Sequence, residues 1–420
     1  MFTEIQDWRK QLILVVVFLF PFLCATVEHA GSITFTILML LGLVFGWQGW
    51  AQLENDEKQF FISLLVLFVV IAVGLFYTAD VKEGASKLER YLRILLLVPV
   101  YLMFRRFDLK VGKFFVYGAL LAVPVLLMHG IYQTELLDRP VASGAYHKIV
   151  YGDVVILFTS ISVAAVLVFA QKTQHHLLSI AFVISGTYAV ILSTSRAAQL
   201  FIPTIAVLLR VLFRKKITKG SWKIISVVTI ICSLLIVFIQ PNRITSGLKV
   251  GVENFRLYQQ DPSEWSSWGA RLNFWRNSLI MFSDSPILGK GTGAYQAENK
   301  ILVEKGISHA DYVVDFGHAH SIYFHTLAEN GALGMLVMII SLIIFPFRYF
   351  YRRWKVADNA EQQFYTLAGM VSVTAFAWFG VSEMWLARNP FVNVYFMCML
   401  VFMSSTANVF SGNNIVQNKA

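Results

Sequence analysis

The chain has 420 residues, of which 57% are hydrophobic and only 14% are charged. An ordinary soluble domain has about 25% charged residues, so this composition excludes a soluble globular protein. The formal net charge of +10 could suit nucleic acid, but in so apolar a chain the distribution of lysine and arginine is more informative than their sum.

Apolar runs recur along almost the whole chain, and about 20 apolar residues suffice for one helical span. The runs are apolar at every position, as in 12–23 and 224–239, and do not alternate as the strands of a membrane barrel do. We therefore predict an all-α polytopic membrane protein with about twelve transmembrane helices. The predicted spans lie near 11–29, 33–50, 60–78, 91–104, 112–133, 150–170, 177–193, 197–213, 222–240, 320–347, 364–381 and 391–409.

Lysine and arginine gather in alternate connections between these spans, notably in 105–113, 210–223 and 348–355. The positive-inside rule then places both termini in the cytoplasm. Three regions follow, namely 1–240 with spans one to nine, 241–319 as one long loop outside the cytoplasm, and 320–420 with the last three spans and a short tail.

The long loop is the only soluble-looking region and is too long to be a simple connection. Its segment 267–282 has apolar residues at helical spacing, whereas Asp284, Ser285 and Pro286 and the glycines after them break that pattern. We expect one or two short helices that pack over the membrane face.

The densest polar cluster of the chain ends at the start of span ten, and consists of His309, Asp311, Asp315, His318 and His320. It has three interpretations, namely a metal site, a solvated loop, or a catalytic base. The spacing fits no known metal signature, and His318 and His320 would point different ways on a helix. His320 stands at the water–bilayer boundary, and its charge changes near neutral pH, so it could act as a general base.

An anionic substrate would need cations beside such a base. Arg196, at the end of span seven, and Arg271, in the long loop, lie on the same side of the membrane as His320. Arginine suits phosphate because its planar fork forms paired, charge-assisted hydrogen bonds. The alternative is that Arg196 only anchors the end of its span at the bilayer surface.

The run Gly289-Lys290-Gly291-Thr292-Gly293 lacks the spacing of a phosphate-binding loop, so we interpret it as a turn that lets backbone approach closely. Trp265, Trp268 and Trp275 are of the type that stacks on sugar rings, but tryptophan is equally common at membrane interfaces.

Three segments share a pattern with one known family. The first is Leu192–Ala197, a Ser/Arg turn between two spans, and the second runs from Arg271 to Gly291, an arginine-led helix followed by Pro-x-x-Gly-x-Gly. The third is His320–Gly334, with His-x-x-Tyr and Glu-x-Gly-x-x-Gly at the start of a span. In this order, and with the long loop, the chain resembles the O-antigen ligase and polymerase group of bacterial envelope proteins.

The resemblance implies a GT-C-like membrane glycosyltransferase whose donor is a glycan linked to undecaprenyl diphosphate. It also implies that no cofactor and no metal are needed, and that the site faces the periplasm from the bacterial inner membrane. By motif match, Arg196 and Arg271 would bind the diphosphate, and His320 would be the catalytic histidine. The family pattern often has Asn where this chain has Ser321, so that position receives no role.

Other charged residues of the outside loops are secondary candidates for binding donor or acceptor phosphates, because exposed loop charges are usually only solvated. They are Arg90, Arg139, His147 and Lys148. The expected partners are the lipid-linked donor, lipid A-core as acceptor and membrane lipids, with no nucleic acid.

Two activities within the family remain open, a ligase and a polymerase, and the features of this sequence favour the ligase. A ligase moves a finished polymer to lipid A-core by inverting glycosyl transfer, whereas a polymerase joins lipid-linked repeat units. A third alternative, a secondary transporter, is disfavoured because the polar residues gather at one membrane face and the spans carry few charges.

Overall fold

A computed structural model describes residues 7–47, 49–169, 173–213 and 252–417, together with five single positions between 227 and 238. Within these ranges the chain forms helices and connecting turns, and they contain no strand. The all-α class predicted from the sequence is therefore confirmed for the described residues.

Helices follow one another throughout the described chain. Up to residue 213 they are Trp8–Thr26, Ala30–Phe45, Asn55–Val73, Val81–Leu95, Leu97–Arg106, Val111–Ile131, Lys148–Phe169, Thr173–Ser193 and Arg196–Phe213. From residue 252 onwards they are 252–260, Ser267–Asp284, Tyr295–Glu304, Ile322–Ile339, Phe345–Val356, Ala360–Phe379 and Asn389–Gln417.

Apolar helices of membrane-spanning length support the predicted class. Six stretches are long and apolar enough to cross a membrane, namely Trp8–Thr26, Asn55–Phe76, Val111–Leu136, Lys148–Val166, Ile322–Val356 and Asn389–Ser411. Three shorter apolar helices are Ala30–Phe45, Ile180–Ser193 and Arg196–Leu208. The chain is a multi-pass membrane protein, whereas the count of twelve and the GT-C-like arrangement stay predictions. The ninth predicted span and the first part of the long loop, 241–251, lie outside the described residues apart from the single positions.

The fourth predicted span, 91–104, is not one long helix. Two helices, Val81–Leu95 and Leu97–Arg106, meet at Leu96. The second has 10 residues, which at about 1.5 Å per residue covers only about half of a bilayer core. The sequence hid this break because apolar residues continue through it.

Buried apolar side chains form two clusters. The larger runs through the bundle of apolar helices, and the smaller lies within the long loop, around Phe274, Tyr295 and Val313. The second cluster includes Ala328 of the stretch Ile322–Val356, so the loop packs directly on the start of that span. The described part of the loop has four helical segments, including 252–260 and Asp311–Asp315, which exceeds the one or two predicted.

The span Ile322–Val356 is interrupted near its beginning, and we call it the broken span. Gly331 has φ of 60° and ψ of −160°, which no α-helix contains, so the carbonyls before it and the amides after it lose their helical partners. The turn 285–291 supplies replacements. The hydrogen bonds are Lys290 N to Ala328 O (2.9 Å), Gly291 N to Glu329 O (2.8 Å), Ala332 N to Pro286 O (2.8 Å) and Leu333 N to Ile287 O (3.1 Å).

Glycine is required on both sides of this junction. A Cβ atom on Gly289 would lie 2.5 Å from the backbone nitrogen of Asn330, and one on Gly331 would lie 2.5 Å from the carbonyl carbon of Ile287. The glycine-rich run is therefore the close backbone turn that the sequence predicted. Such irregular backbone is tolerated in a span because the paired segment satisfies its polar groups.

Candidate active site

His320 lies at the entrance to the broken span, in the left-handed backbone region with φ of 49°. The sequence placed it at the start of the helix, and the structure begins the helix two residues later, at Ile322, with Ser321 as the N-cap residue. The carbonyl of Gly380 accepts from Ile322 N at 2.9 Å and from Ser321 Oγ at 3.2 Å. The connection after Ala360–Phe379 thus fixes the segment that carries His320.

Aromatic rings hold the imidazole of His320. Phe274 stacks on it with centroids 5.5 Å apart, and Phe316 meets it edge-on at 5.8 Å. The ring of His318 is only 4.4 Å away. The expectation that His318 and His320 point different ways on a helix was wrong, because both residues precede the helix.

Arg271 belongs to the helix Ser267–Asp284, which we call the loop helix, and precedes Phe274 by one turn. It is half-buried, and its Nε atom is buried without a hydrogen-bond partner. Burial lowers the pKa of Arg271 and the nearby Arg196 lowers it further, whereas the carboxylate of Glu383 raises it. The two predicted arginines are therefore close enough to repel each other, which favours a bound anion between them.

Arg196 is the first residue of the helix Arg196–Phe213 and is exposed. Ser195 before it accepts from Ala198 N at 3.4 Å and donates to the Oδ1 atom of the buried Asp153 at 3.1 Å. A helix N-terminus already carries partial positive charge, so a cation there is unfavourable by itself. An anionic ligand at this point would be attracted by both the helix and the arginine.

His147 joins the same group from the turn before Lys148–Phe169. Its Nδ1 atom accepts from Ile149 N at 3.3 Å, as an N-cap residue does. Partial burial lowers the pKa of His147, and the positive charges of Arg388 and Lys148 lower it further. His147 in turn lowers the pKa of His320, so the two imidazoles sense each other.

Two members of this group were missed by the sequence analysis. Glu383 is completely buried, and its Oε1 atom accepts from Arg388 Nε at 3.0 Å and from Met384 N at 3.2 Å. Both residues lie between the last two described helices, Ala360–Phe379 and Asn389–Gln417. The available signal was a glutamate and an arginine five positions apart in an otherwise apolar connection.

The surroundings keep the imidazole of His320 neutral. Burial is the main cause that lowers its pKa, to about 4, and Arg271, Arg388 and His147 act in the same direction. Glu383 opposes them by raising the pKa. At neutral pH the ring is therefore free to accept a proton, as a general base must be.

A metal ion could also be held here. His318, His320 and Glu383 each offer a ligand atom, and these atoms lie within 4.8 Å of one another. The other members of the predicted cluster, His309, Asp311 and Asp315, are exposed and do not join them. Arg271 and Arg388 place positive charge beside the trio, and Arg196 adds to it next to Arg271, which disfavours a cation and favours an anion.

Of the remaining predicted residues, Arg90 and Lys148 border the group around His320, whereas Arg139 does not. Arg90 donates to the carbonyl of Ala387 at 3.4 Å, so it borders the connection that carries Glu383 and Arg388. Lys148 is half-buried and acts on His147. Arg139 is exposed in a turn, where its backbone amide donates to Gln133 O at 3.0 Å, and no described contact joins it to His320.

A second buried ionic group lies beneath the site. Lys87 Nζ is 2.7 Å from Glu329 Oε1, and His325 Nε2 is 3.4 Å from the other oxygen of Glu329. The same carboxylate accepts from Tyr295 N at 3.2 Å. Removing one partner of such a buried ion pair lowers the free energy of unfolding by about 3–5 kcal/mol, because the other charge is left buried without a partner. Glu329 therefore ties the helix Val81–Leu95 and the long loop to the broken span.

Polar and charged side chains thus converge at one end of a bundle of apolar helices, which is the layout of a membrane enzyme that handles an anionic substrate. A family model described as O-antigen ligase matches residues 180–339, a segment that contains all three motifs. This match confirms the resemblance to the O-antigen ligase and polymerase family. An uncharacterized protein of Haemophilus influenzae is similar as well, with 23% identity over 379 residues, 87% of this chain and 91% of that protein.

Proposed function

We propose that this protein is an O-antigen ligase, which transfers a polysaccharide from undecaprenyl diphosphate to lipid A-core on the periplasmic face of the inner membrane. One observation carries the proposal. His320, Arg271, Arg196 and His147 come from four separate parts of the chain and meet at one end of the apolar bundle. The family match supports the ligase and polymerase class of activity in general.

The proposed reaction needs a group that stabilises the leaving diphosphate and a base that accepts the proton of the acceptor hydroxyl. The bond between the anomeric carbon and the diphosphate oxygen breaks, so negative charge grows on the leaving group. Arg196 and Arg271 stabilise that charge where it develops, which lowers the barrier more than it stabilises the bound donor. The lipid diphosphate leaves with the electron pair of the broken bond.

His320 acts on the acceptor. A hydroxyl group of lipid A-core attacks the anomeric carbon, and the neutral imidazole takes its proton as the new C–O bond forms. Attack opposite to the leaving group inverts the anomeric centre. The stacked Phe274 keeps the imidazole plane fixed while the proton moves. No nucleotide, cofactor or metal takes part in this sequence of events.

The sidedness follows from the ends of the broken span. His320 precedes its first residue, whereas its last turns carry Arg352 and Arg353, and Arg353 pairs with Glu54 and with Asp56 at 3.3 Å. The positive-inside rule assigns the arginine-rich end to the cytoplasm, which supports a His320 end that faces the periplasm; the same rule, applied to all the connections, supports two cytoplasmic termini.

The direct test is to delete the gene in its host and to return wild-type and His320→Ala copies. A ligase predicts lipid A-core without polysaccharide and a polymer that accumulates on undecaprenyl diphosphate, both corrected only by the wild-type copy. Lipid A-core that carries a single repeat unit would identify a polymerase instead, and unchanged envelope glycans would favour a transporter.

Metal independence has its own test. Purified protein with purified donor and acceptor should keep full transfer activity after prolonged treatment with a chelator. Loss of activity that zinc restores would assign the trio His318, His320 and Glu383 to a metal site.

A further inference from the structure

Glu383 holds a buried negative charge that the proposed reaction does not yet use. Its side chain has no exposure to solvent, and only its Oε1 atom has partners, namely Arg388 Nε and Met384 N. The Oε2 atom is buried without a hydrogen bond. A buried carboxylate oxygen without a donor is costly, so this oxygen needs an N–H or O–H group nearby.

His320 also has a buried polar atom without a hydrogen-bond partner. This atom is Nδ1. A ring nitrogen of His320 and a carboxylate oxygen of Glu383 lie within 4.8 Å of each other, which a small rotation of either side chain would close to hydrogen-bond length. Each residue thus has one buried polar atom without a partner, one able to donate and one able to accept, and the two side chains come within 4.8 Å of each other.

We propose that Glu383 is a positioning residue that accepts an N–H from the imidazole of His320 and thereby directs the other ring nitrogen towards the acceptor hydroxyl. The inference rests on the proposed function, because it assigns His320 the role of base. A carboxylate in this place selects one tautomer, fixes the ring plane and stabilises the imidazolium that forms when the base takes its proton.

The proton balance of the step is simple. The acceptor hydroxyl loses its proton to the free ring nitrogen of His320 while its oxygen bonds to the anomeric carbon. The imidazolium then has a proton on both nitrogens, one of them shared with Glu383, which stays a carboxylate. The diphosphate departs with its bonding electrons, so no oxidant, reductant or further reactant is needed.

Arg388 satisfies only one of the two oxygens of the Glu383 carboxylate. A purely structural ion pair would satisfy Glu383 by Arg388 alone, yet Arg388 uses the Oε1 side at 3.0 Å and leaves Oε2 open. The charged and titratable groups that face His320 are Glu383 and Arg388 from this connection, Arg271 from the loop helix, His147 from the neighbouring turn and His318 from its own segment. Glu383 is the only acid among these groups.

The test uses the full-length protein in nanodiscs with nitrogen-15 labelled histidine, and compares wild type with Glu383→Gln. The signals of His320 are identified by their loss in His320→Gln. In wild type we expect one neutral tautomer, and in Glu383→Gln a mixture of both, with a lower His320 pKa because the negative charge is gone. This measurement needs no substrate, so it stands even if the protein is not a ligase.

Activity provides the second readout. With purified undecaprenyl-diphosphate-linked polysaccharide and lipid A-core, Glu383→Gln should lower kcat by about 10- to 100-fold and leave the KM of the donor within about twofold. Glu383→Asp keeps the charge and should restore part of kcat. Glu89→Gln, the same change at an exposed position of Val81–Leu95, should leave kcat and KM unchanged.

The outcomes separate the alternatives. An unchanged tautomer together with unchanged kcat in Glu383→Gln would overturn the proposal. So would a tautomer signal that changes on chelation, because it would make Glu383 a metal ligand. Arg388→Met should keep the wild-type tautomer and raise the His320 pKa, because Arg388 lowers it. A tautomer mixture in Arg388→Met would contradict the proposal that Glu383 by itself orients the ring. If Glu383→Gln does not insert, the wild-type spectrum carries the test, because a mixture of both neutral tautomers there would overturn the proposal.

Discussion

A single residue, His320, combines three properties that suit the role of catalytic base that we propose for it. Its backbone takes the left-handed conformation just before the helix, its ring is stacked on Phe274, and burial beside cations lowers its pKa. Non-glycine residues adopt this backbone conformation at a cost of about 1 kcal/mol or more, which the surrounding structure must offset. Such strain is typical of functional positions.

His320→Ala should lower kcat by about 10²- to 10⁴-fold, the usual contribution of a general base, without loss of protein from the membrane. The measurement is transfer of purified lipid-linked polysaccharide to lipid A-core, with normal insertion checked by size-exclusion chromatography. His309→Ala, an exposed member of the same sequence cluster, serves as the control and should be fully active. Full activity of His320→Ala would remove the residue from the mechanism.

The pH profile should reflect the lowered pKa of His320. The ring must be neutral to accept a proton, so activity is lost only when the pH falls through its pKa, about 4 in the free enzyme. The profile of kcat/KM should therefore be flat from pH 8 to about 5. A decline centred near 6.5, the value of an ordinary histidine, would contradict the neutral, buried base.

Arg271 should act mainly on the donor. Arg271→Ala is expected to raise the KM of the donor and to lower kcat, and Arg271→Lys should rescue little, because lysine keeps the charge but loses the planar pair of donors. Lys300→Ala, a loss of one exposed positive charge elsewhere in the loop, is the matched control. Unchanged kinetics of Arg271→Ala would remove it from the donor site.

The sequence motifs identified some residues of the candidate site but not the residues that lie beside them. His320, Arg196 and Arg271 could be named from short patterns, and the structure brings them together with His147. Glu383 and Arg388 could not be named, because an acid and a base beside a span are usually solvated or anchor the helix end. Only the packing of the connection between the last two described helices against His320 reveals their position.

At the scale of elements, hydropathy predicted helices and failed at their interruptions. Every predicted span that falls on described residues overlaps a helix, because long apolar runs satisfy their backbone only within a helix in a bilayer. The break at Gly331 and the division at Leu96 escaped prediction. The first depends on hydrogen bonds from a turn about 40 residues earlier, which no local pattern contains.

Gly331→Ala should destabilise this junction. The new Cβ would lie 2.5 Å from backbone of Ile287, at a φ of 60° that alanine disfavours, so we expect a loss of about 1–3 kcal/mol. The thermal midpoint in detergent and the transfer activity should both fall. Gly317→Ala, where nothing lies within 4 Å, is the matched control. Equal midpoints for the two variants would show that the junction tolerates a side chain.

At the scale of the whole molecule, the site extends beyond the segment that matches the family. Residues 180–339 contain Arg196, Arg271 and His320, whereas His147 and Glu383 lie before and after it. The similarity to the Haemophilus influenzae protein covers 87% of this chain and so extends further than the family match. The proposed chemistry therefore depends on the assembled bundle and not on the loop alone.

The proposed topology predicts which surfaces an impermeant reagent can reach. Lys305→Cys, exposed in the long loop, should react with a membrane-impermeant maleimide in cells with a permeabilised outer membrane. Asp358→Cys, exposed at the other end of the broken span, should react only after the inner membrane is lysed. Cys24 and Cys398 are buried and give little background, and Cys232, which lies outside the described residues, is replaced by serine in both variants. The opposite pattern would invert the whole assignment.

The break at Gly331 also limits how this protein can be recombined with its relatives. The turn 285–291 completes the backbone of the broken span, so turn and span are one structural unit although about 40 residues separate the turn from Gly331. A chimera that exchanges the long loop alone would combine a turn from one protein with a helix gap from another. A chimera should therefore keep its stability only when residues 285–334 move together.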